Sequence, residues 1–409
     1  MEENNKKGKS LFSVLFLIGL FSFSVLNLIF SGPELMKELR EENLDFRKPK
    51  QAITAIEEEM SEELLFRYPL IEGYGALQLM MGKKEENAFS NVMGKDGVLY
   101  GGNFWSGFGD DQKELAVRTR RLHDLLEEKG TKMGVVIFPM KLPEESDRYY
   151  GMPYNDFSKL AGDYASWLRY YKVPMLDLSD ICGASGLTRK EAFFRTDHHW
   201  TPIAAFSGYS MILDWMEKSF NAVPDPDYEL RNLDNYNKIT LPGYMLGSQG
   251  RETGRVFAGG TEDYTVIYPK NEGDYLLHRG NLDNYLTYTG NFEESLLKLD
   301  KKKKDFKDIY NGSAEGVYLH NGVDEYVSIQ NLETESKEKI LLLRDSYATP
   351  VGAFLAQSFK QVDMLWTLRI SEKELDEFLG KNHYDYVILS LFPEDLKEEA
   401  FPFGMEKTP

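Results

Sequence analysis

The residues best suited to chemistry lie in one block, Arg195-Thr196-Asp197-His198-His199-Trp200-Thr201-Pro202, which holds two of the chain's six histidines. Side chains two residues apart in extended backbone point to the same face, so Asp197 and His199 can meet. A carboxylate that accepts the Nδ1 proton of an imidazole orients the ring and leaves Nε2 as a base. Such a pair needs a nucleophile. Ser346 is the candidate, because it ends the strand-like run KILLLRDS (339–346) just before a helical segment. In open α/β sheets the carboxyl ends of the strands are where sites gather, and a turn there would offer the Ser346 backbone N–H to an oxyanion. A strand-end serine is usually structural and an Asp-x-His pair is weak alone. Together on a parallel α/β scaffold they point to a Ser–His–Asp hydrolase or acyltransferase.

Metal chemistry fits the same block less well. Asp197, His198 and His199 match the Asp-His-His signature of a cytosolic phosphoesterase family only superficially, since that family needs further aspartate motifs. Adjacent histidines are expected to point apart in extended backbone, which is poor geometry for shared chelation. Trp200 stands where the Asp-His-His-Cys palmitoyl transferases have cysteine. GGNFWSGFG (101–109) has glycines but no Lys-Ser/Thr, so no phosphate loop is read there. No cofactor and no metal enter the reading. The single cysteine, Cys182, excludes an intramolecular disulfide and any CxxC zinc site, and is expected in the core.

The elements that must position these residues alternate. MGVVIFP (133–139), VPMLDL (173–178), KILLLRDS, QVDMLWTL (361–368) and YDYVILSLF (384–392) are apolar runs of the kind that form buried parallel strands. Between them lie helical patterns at 111–130, near 155–171, from Thr201-Pro202 onward, at 350–359 and at 371–382, with N-cap signals at Thr201 and Ser371. Strands alternating with helices imply a parallel sheet covered on both faces. GVLY (97–100) adds a short strand. Residues 222–335, rich in Asn, Asp, Tyr and Gly, break the rhythm and are expected to be an irregular insertion shaping a cleft. Lys301–Lys304 reads as a solvated turn.

Leu11 to Ser31 carries no charge and is long enough to cross a hydrocarbon core of about 30 Å. Lys6, Lys7 and Lys9 precede it and Glu34, Glu38 and Glu41 follow, which sets residues 1–10 in the cytoplasm and the remainder outside. An uncleaved signal anchor is favoured over a cleaved signal peptide, since no small-x-small site is evident. A charged stem (32–88) and one domain (89–400) then follow. The formal charge of −18 excludes a general nucleic-acid binder. An anionic substrate would need a local basic patch against that field.

FFRTDHHWTPIAAFSGYSMI resembles the signature of the bacterial DHHW family, which is related to the SGNH-hydrolase-like proteins of alginate O-acetylation. NVMGKDGVLYGG, GVVIFPMK (134–141) and LLLRDSYATPVGAFLA (341–356) are similar to segments of that group in the same order. The resemblance implies an SGNH-hydrolase-like three-layer α/β/α sandwich with Ser346 as nucleophile, His199 as base and Asp197 as orienting acid. It also implies acetyl transfer to an exported or cell-surface glycan, with acyl groups supplied by a membrane-bound O-acyltransferase partner. Two segments depart from the pattern. Relatives often carry Gly-Gly-Asn-x-Pro before the serine strand, whereas this chain has His320-Asn321-Gly322-Val323-Asp324. Arg344 stands at the Gly of Gly-Asp-Ser. LGSQGRETGR (246–255) looks like a family segment without an assigned role. The expectation is a membrane-anchored extracytoplasmic O-acyltransferase. A carbohydrate acetylesterase with the same triad and a non-catalytic polysaccharide-binding or assembly protein are the alternatives.

Overall fold

A computed structural model describes residues 2–33, 36–37, 64–102, 111–271, 273–299 and 306–405. Much of the expected stem, most of GGNFWSGFG and Lys301–Lys304 lie outside the described residues. Two compact units are present, Met1–Tyr74 and Gly75–Pro409. The first contains the helix Glu2–Phe30, in which Ser13–Phe30 has a mean hydropathy of 2.3 and is not buried. This helix is long and apolar enough to cross a membrane.

In the second unit, β1 (Glu85–Glu86), β2 (Asn91–Met93) and β3 (Leu99–Gly101) form a small antiparallel sheet. The remaining strands are β4 (Lys132–Ile137), β5 (Met175–Asp177), β6 (Tyr236–Met245), β7 (Glu262–Pro269), β8 (Asp274–Gly280), β9 (Tyr285–Asn291), β10 (Tyr326–Asn331), β11 (Lys339–Arg344), β12 (Gln361–Trp366) and β13 (Tyr386–Leu391). Eight of them make the main sheet, in the order β5-β4-β13-β11-β12-β10-β8-β9, while β6 and β7 pair apart from it. From β5 to β12 every pairing is parallel.

The apolar runs explain β4, β13, β11 and β12, which are buried on both faces, whereas the expected buried strand at VPMLDL is the partly exposed edge strand β5. In β11, Ile340 and Leu342 enter one core while Leu341 and Leu343 enter the other. Helices Gln112–Glu128, Ser158–Tyr170 and Glu372–Lys381 cover the second core. Helices Pro202–Phe220 and Thr349–Leu355 cover the first. The expected starts hold at Thr201, whose side chain accepts from the Ala204 N–H, and at Ser371, which forms a capping box with Glu374. The architecture is the three-layer α/β/α sandwich. Cys182 is half-buried against the first core.

The insertion is more ordered than its composition suggests. Residues 222–335 supply β6 to β10, and β10, β8 and β9 extend the main sheet by antiparallel pairing, so the sheet is mixed. In β8 burial alternates early and fades, and β9 is mostly exposed. Half-solvated antiparallel strands carry polar residues in alternation, which breaks up the apolar runs used to find strands.

Gly134 shows how closely the layers approach. A Cβ there would lie 2.5 Å from Trp215 Cη2 and 2.9 Å from the Pro174 carbonyl oxygen, and the latter is backbone and cannot swing away. Gly134→Ala is expected to destabilise the fold by about 1–3 kcal/mol through overpacking, measured by urea denaturation. A second weakness is Glu86, buried with no hydrogen-bond partner among the described residues on either carboxylate oxygen. Burial, then the charge of Glu85, pushes its carboxyl up to about 7. The folded state thus holds a proton that the unfolded state releases between about 4.5 and 7, and stability falls as pH rises through that window. Glu86→Gln is expected to unfold at higher denaturant than the wild type at pH 8, with the difference closing by pH 4.

Candidate active site

Three neighbouring strands, β4, β13 and β11, end side by side, and the residues just past their carboxyl ends converge. β4 delivers Met140 and Lys141, β13 delivers Phe392, and β11 delivers Asp345 and Ser346. Ser346 opens the tight turn Ser346–Ala348, which Asp345 caps by accepting the Tyr347 N–H at 2.9 Å. The other Asp345 oxygen accepts the Phe392 N–H, tying the ends of β11 and β13 together. Burial, then the nearby Asp395 charge, pushes the Asp345 carboxyl up to about 7.

Against these strand ends lies the segment that feeds helix Pro202–Phe220. It places Asp197, His199 and Ser346 in one chain of hydrogen bonds. His199 Nε2 lies 2.7 Å from Ser346 Oγ, and His199 Nδ1 lies 2.7 Å from Asp197 Oδ1. Asp197 Oδ1 also accepts the His199 backbone N–H at 2.9 Å, and Oδ2 accepts the Ser248 N–H at 2.7 Å. Asp197 has no exposed surface and Ser346 is half-buried. Burial alone would push the Asp197 carboxyl up. The charge and hydrogen bond of the His199 imidazole, with a smaller share from His198, hold it well below the usual carboxylate range.

A buried cation and a half-buried carboxylate fix this segment from two sides. Lys141 Nζ donates to the carbonyls of Phe194 (3.1 Å) and Asp197 (2.5 Å) and to Gln249 Oε1 (2.8 Å). Burial lowers its ammonium to about 8 against the opposing pull of Asp197 and Glu262. On the other side, Glu262 at the start of β7 accepts the N–H groups of Arg195 and Thr196, each at 2.7 Å, and the Thr196 hydroxyl. Trp200 Nε1 donates to the Tyr347 carbonyl at 3.1 Å, and the Tyr347 hydroxyl donates to the His198 carbonyl, which latches the block onto the serine turn.

One sequence expectation is corrected here, and one unassigned segment gains a place. The adjacent histidines do not diverge: their ring centroids are 4.0 Å apart, because residues 197–199 form a bend rather than extended backbone. His198 Nδ1 pairs with Ser248 Oγ at 2.9 Å, and partial burial together with the His199 charge lowers its basicity. The unassigned LGSQGRETGR segment forms helix Ser248–Thr253, which supplies the Ser248 N–H to Asp197 and Gln249 to Lys141. Its signal was Gly247, where a Cβ would lie 2.4 Å from Asp197 Cβ and 2.5 Å from the Thr196 carbonyl oxygen. Asn321, by contrast, turns its Oδ1 to Ser313 Oγ at 3.4 Å.

Asp197, His198 and His199 also bring ligand-type atoms within 4.8 Å of one another. Both Asp197 oxygens accept backbone N–H groups, His199 bridges Asp197 and Ser346, and His198 Nδ1 pairs with Ser248. A cavity of about 570 Å³ on the far side of the block is lined by Tyr100, Phe193, Pro202 and Glu262, and includes neither His199 nor Ser346.

Residues 92–247 match the family model described as an SGNH hydrolase-like domain, acetyltransferase AlgX. Over those residues the chain is similar to the SGNH hydrolase-like domain of AlgX. The alginate biosynthesis protein AlgX of Pseudomonas putida is 26% identical over 171 residues, covering 37% of this chain and 33% of that protein. The chain thus spans about a third of the length of the curated relatives it matches. Among solved structures, Bacillus cereus PatB1 superposes with a TM-score of 0.58 at 18% identity, covering 76% of this chain and 98% of PatB1. A DHHW family protein from Eubacterium siraeum gives a TM-score of 0.51 at 15% identity, covering 76% of this chain and 96% of that one. These likenesses establish a shared fold. Within the SGNH hydrolase-like domain, Lys141 is the cation on which the Asp197 backbone rests. Lys141→Met leaves three buried acceptors unpaired and is expected to destabilise the fold by about 3 kcal/mol or more, read from chemical unfolding.

Proposed function

We propose that this protein is a membrane-anchored extracytoplasmic O-acyltransferase that acetylates an exported or cell-surface glycan through Ser346, His199 and Asp197. The observation that carries the reading is the 2.7 Å contact between His199 Nε2 and Ser346 Oγ, continued at 2.7 Å to Asp197. The SGNH hydrolase-like domain of the acetyltransferase AlgX kind supports acyl transfer as the reaction class. The apolar N-terminal helix and the lysines ahead of it support the anchor and its orientation.

The geometry gives each residue one task. Ser346 Oγ attacks the carbonyl carbon of the acyl donor as His199 Nε2 takes its proton, and ionised Asp197 stabilises the resulting imidazolium. The Ser346 backbone N–H, at the head of its turn, is the donor nearest to hand for the oxyanion. Collapse expels the donor's leaving group, which takes the proton from His199 and leaves acyl-Ser346. A glycan hydroxyl then loses its proton to His199 Nε2 and attacks the acyl carbon. Ser346 Oγ leaves and regains that proton. A multi-spanning O-acyltransferase is the proposed source of acyl groups.

A hydrogen-bonded serine supports catalysis over a purely binding role. Ser346→Ala is expected to abolish turnover of a generic acetyl ester, by about 1,000-fold or more, and labelling by a serine-directed sulfonyl probe. The melting transition should be retained. Undiminished turnover in that variant removes Ser346 from the mechanism. Mass spectrometry of an oligosaccharide acceptor separates transfer from release of free acetate.

A further inference from the structure

A pocket of about 220 Å³ opens beside the histidine pair, walled by residues from four separate elements. Asn91 comes from β2, Met140 and Lys141 follow β4, Phe392 and Glu394 follow β13, and Ser248 and Glu252 come from helix Ser248–Thr253. His198 forms one wall, and its ring lies 4.0 Å from that of His199, whose Nε2 meets the nucleophile. Neither His199 nor Ser346 lines this pocket, and His198 is the lining residue whose ring meets that of His199.

The walls have a definite electrostatic character. Lys141 is the only cation among the lining residues, and its three N–H bonds are spent on Phe194, Asp197 and Gln249. Arg251, whose charge also reaches His198, does not line the pocket. Two carboxylates do, and each is steadied by an amide. Asn91 Nδ2 donates to Glu252 Oε2 at 2.7 Å, and Asn155 Nδ2 donates to Glu394 Oε1 at 3.3 Å. Both glutamates are exposed, and among the described residues neither is in an ion pair with a base. Fixed carboxylates accept hydrogen bonds from hydroxyl groups and repel other carboxylates. Phe392, stacked on Tyr347 at 4.6 Å, adds a rigid apolar wall.

We propose that this pocket is the acceptor subsite and that it takes an uncharged sugar unit, held by its hydroxyl groups, in preference to a uronate. The inference rests on the acyltransfer reading, and it separates this chain from relatives named for alginate, a polyuronate. Selection comes from Glu252 and Glu394, which bind the hydroxyl hydrogens of a neutral sugar and oppose an acidic one.

The test uses the full chain in detergent with two acceptors of equal length, a neutral glucose tetramer and a mannuronate tetramer. With a generic acetyl ester as donor, acetylated neutral tetramer is expected to exceed acetylated mannuronate tetramer by about tenfold or more. The Glu252→Gln/Glu394→Gln variant should lose most of the transfer to the neutral tetramer. Mannuronate acetylated equally or better overturns the subsite while leaving the triad standing. Binding to the Ser346→Ala protein, followed by calorimetry, separates the two failures. If ester turnover is absent from the wild type, the triad reading fails. Neutral-tetramer binding that weakens in the double glutamine variant then still supports the pocket, and no such binding overturns it. A melting curve for each variant checks that the fold is intact.

Discussion

A fully buried carboxylate, Asp197, is the constraint to which the rest of the site is fitted. An ion in that position is costly unless each oxygen finds a donor. Oδ1 receives the His199 ring and backbone N–H groups, and Oδ2 receives the Ser248 N–H. Each donor fixes a different part of the chain. The ring is aimed at Ser346, the bend at 197–199 is closed, and helix Ser248–Thr253 is held against the block. The close approach of Gly247 follows from the same demand, since any side chain there would collide with Asp197 and Thr196.

Lys141 extends this logic to the sheet. Its side chain runs from the end of β4 into the interior and ends on the Asp197 carbonyl, so the main sheet sets the height at which the block sits. Glu262 does the same from β7. The Asp–His pair is thus held between a buried cation following β4 and a half-buried carboxylate on β7, while Ser346 follows β11, two strands from β4 in the main sheet. Position in such a system is governed by charges that cannot move to water without unfolding the segment. Rigidity of this kind suits a base that must stay within hydrogen-bond reach of its nucleophile.

The parallel half of the fold was legible because its physics is local. Uninterrupted apolar runs in β4, β11, β12 and β13 betray burial on both faces, and Thr201-Pro202 and Ser371 mark helix starts by their capping chemistry. Asp197, His199 and Ser346 were legible for a related reason, since residue type and strand-end placement carry the signal. The antiparallel strands β8, β9 and β10 were not, because half-solvated strands mix polar with apolar residues. Nor were Lys141, Gln249 and Glu262. Their contribution depends on contacts more than 50 residues apart in sequence, and a lysine or glutamate that ends up buried looks the same on paper as one on the surface. The bend that brings the His198 ring against His199 is likewise set by Asp197's own hydrogen bonds, which an extended-backbone assumption leaves out.

The two departures from the family pattern, Arg344 and the segment His320–Asp324, turn out to be one. Arg344 is fully buried at the end of β11, where its Nη2 donates to the carbonyls of Gly322 (2.6 Å) and Asp324 (3.1 Å) and its guanidinium lies 4.8 Å from the Trp366 ring. A glycine at that position would leave those carbonyls without a donor. To present them, the chain passes through three successive left-handed residues, Leu319, His320 and Asn321, while Arg279 pairs with Asp324 and donates to the His320 carbonyl. Left-handed backbone is costly for side-chain-bearing residues and persists only where surrounding contacts hold it. The loop is therefore shaped to satisfy a buried arginine, and the Asn321 side chain is drawn to Ser313. Arg344 is thus held at the end of β11 by backbone carbonyls of this loop, next to the turn that carries Ser346.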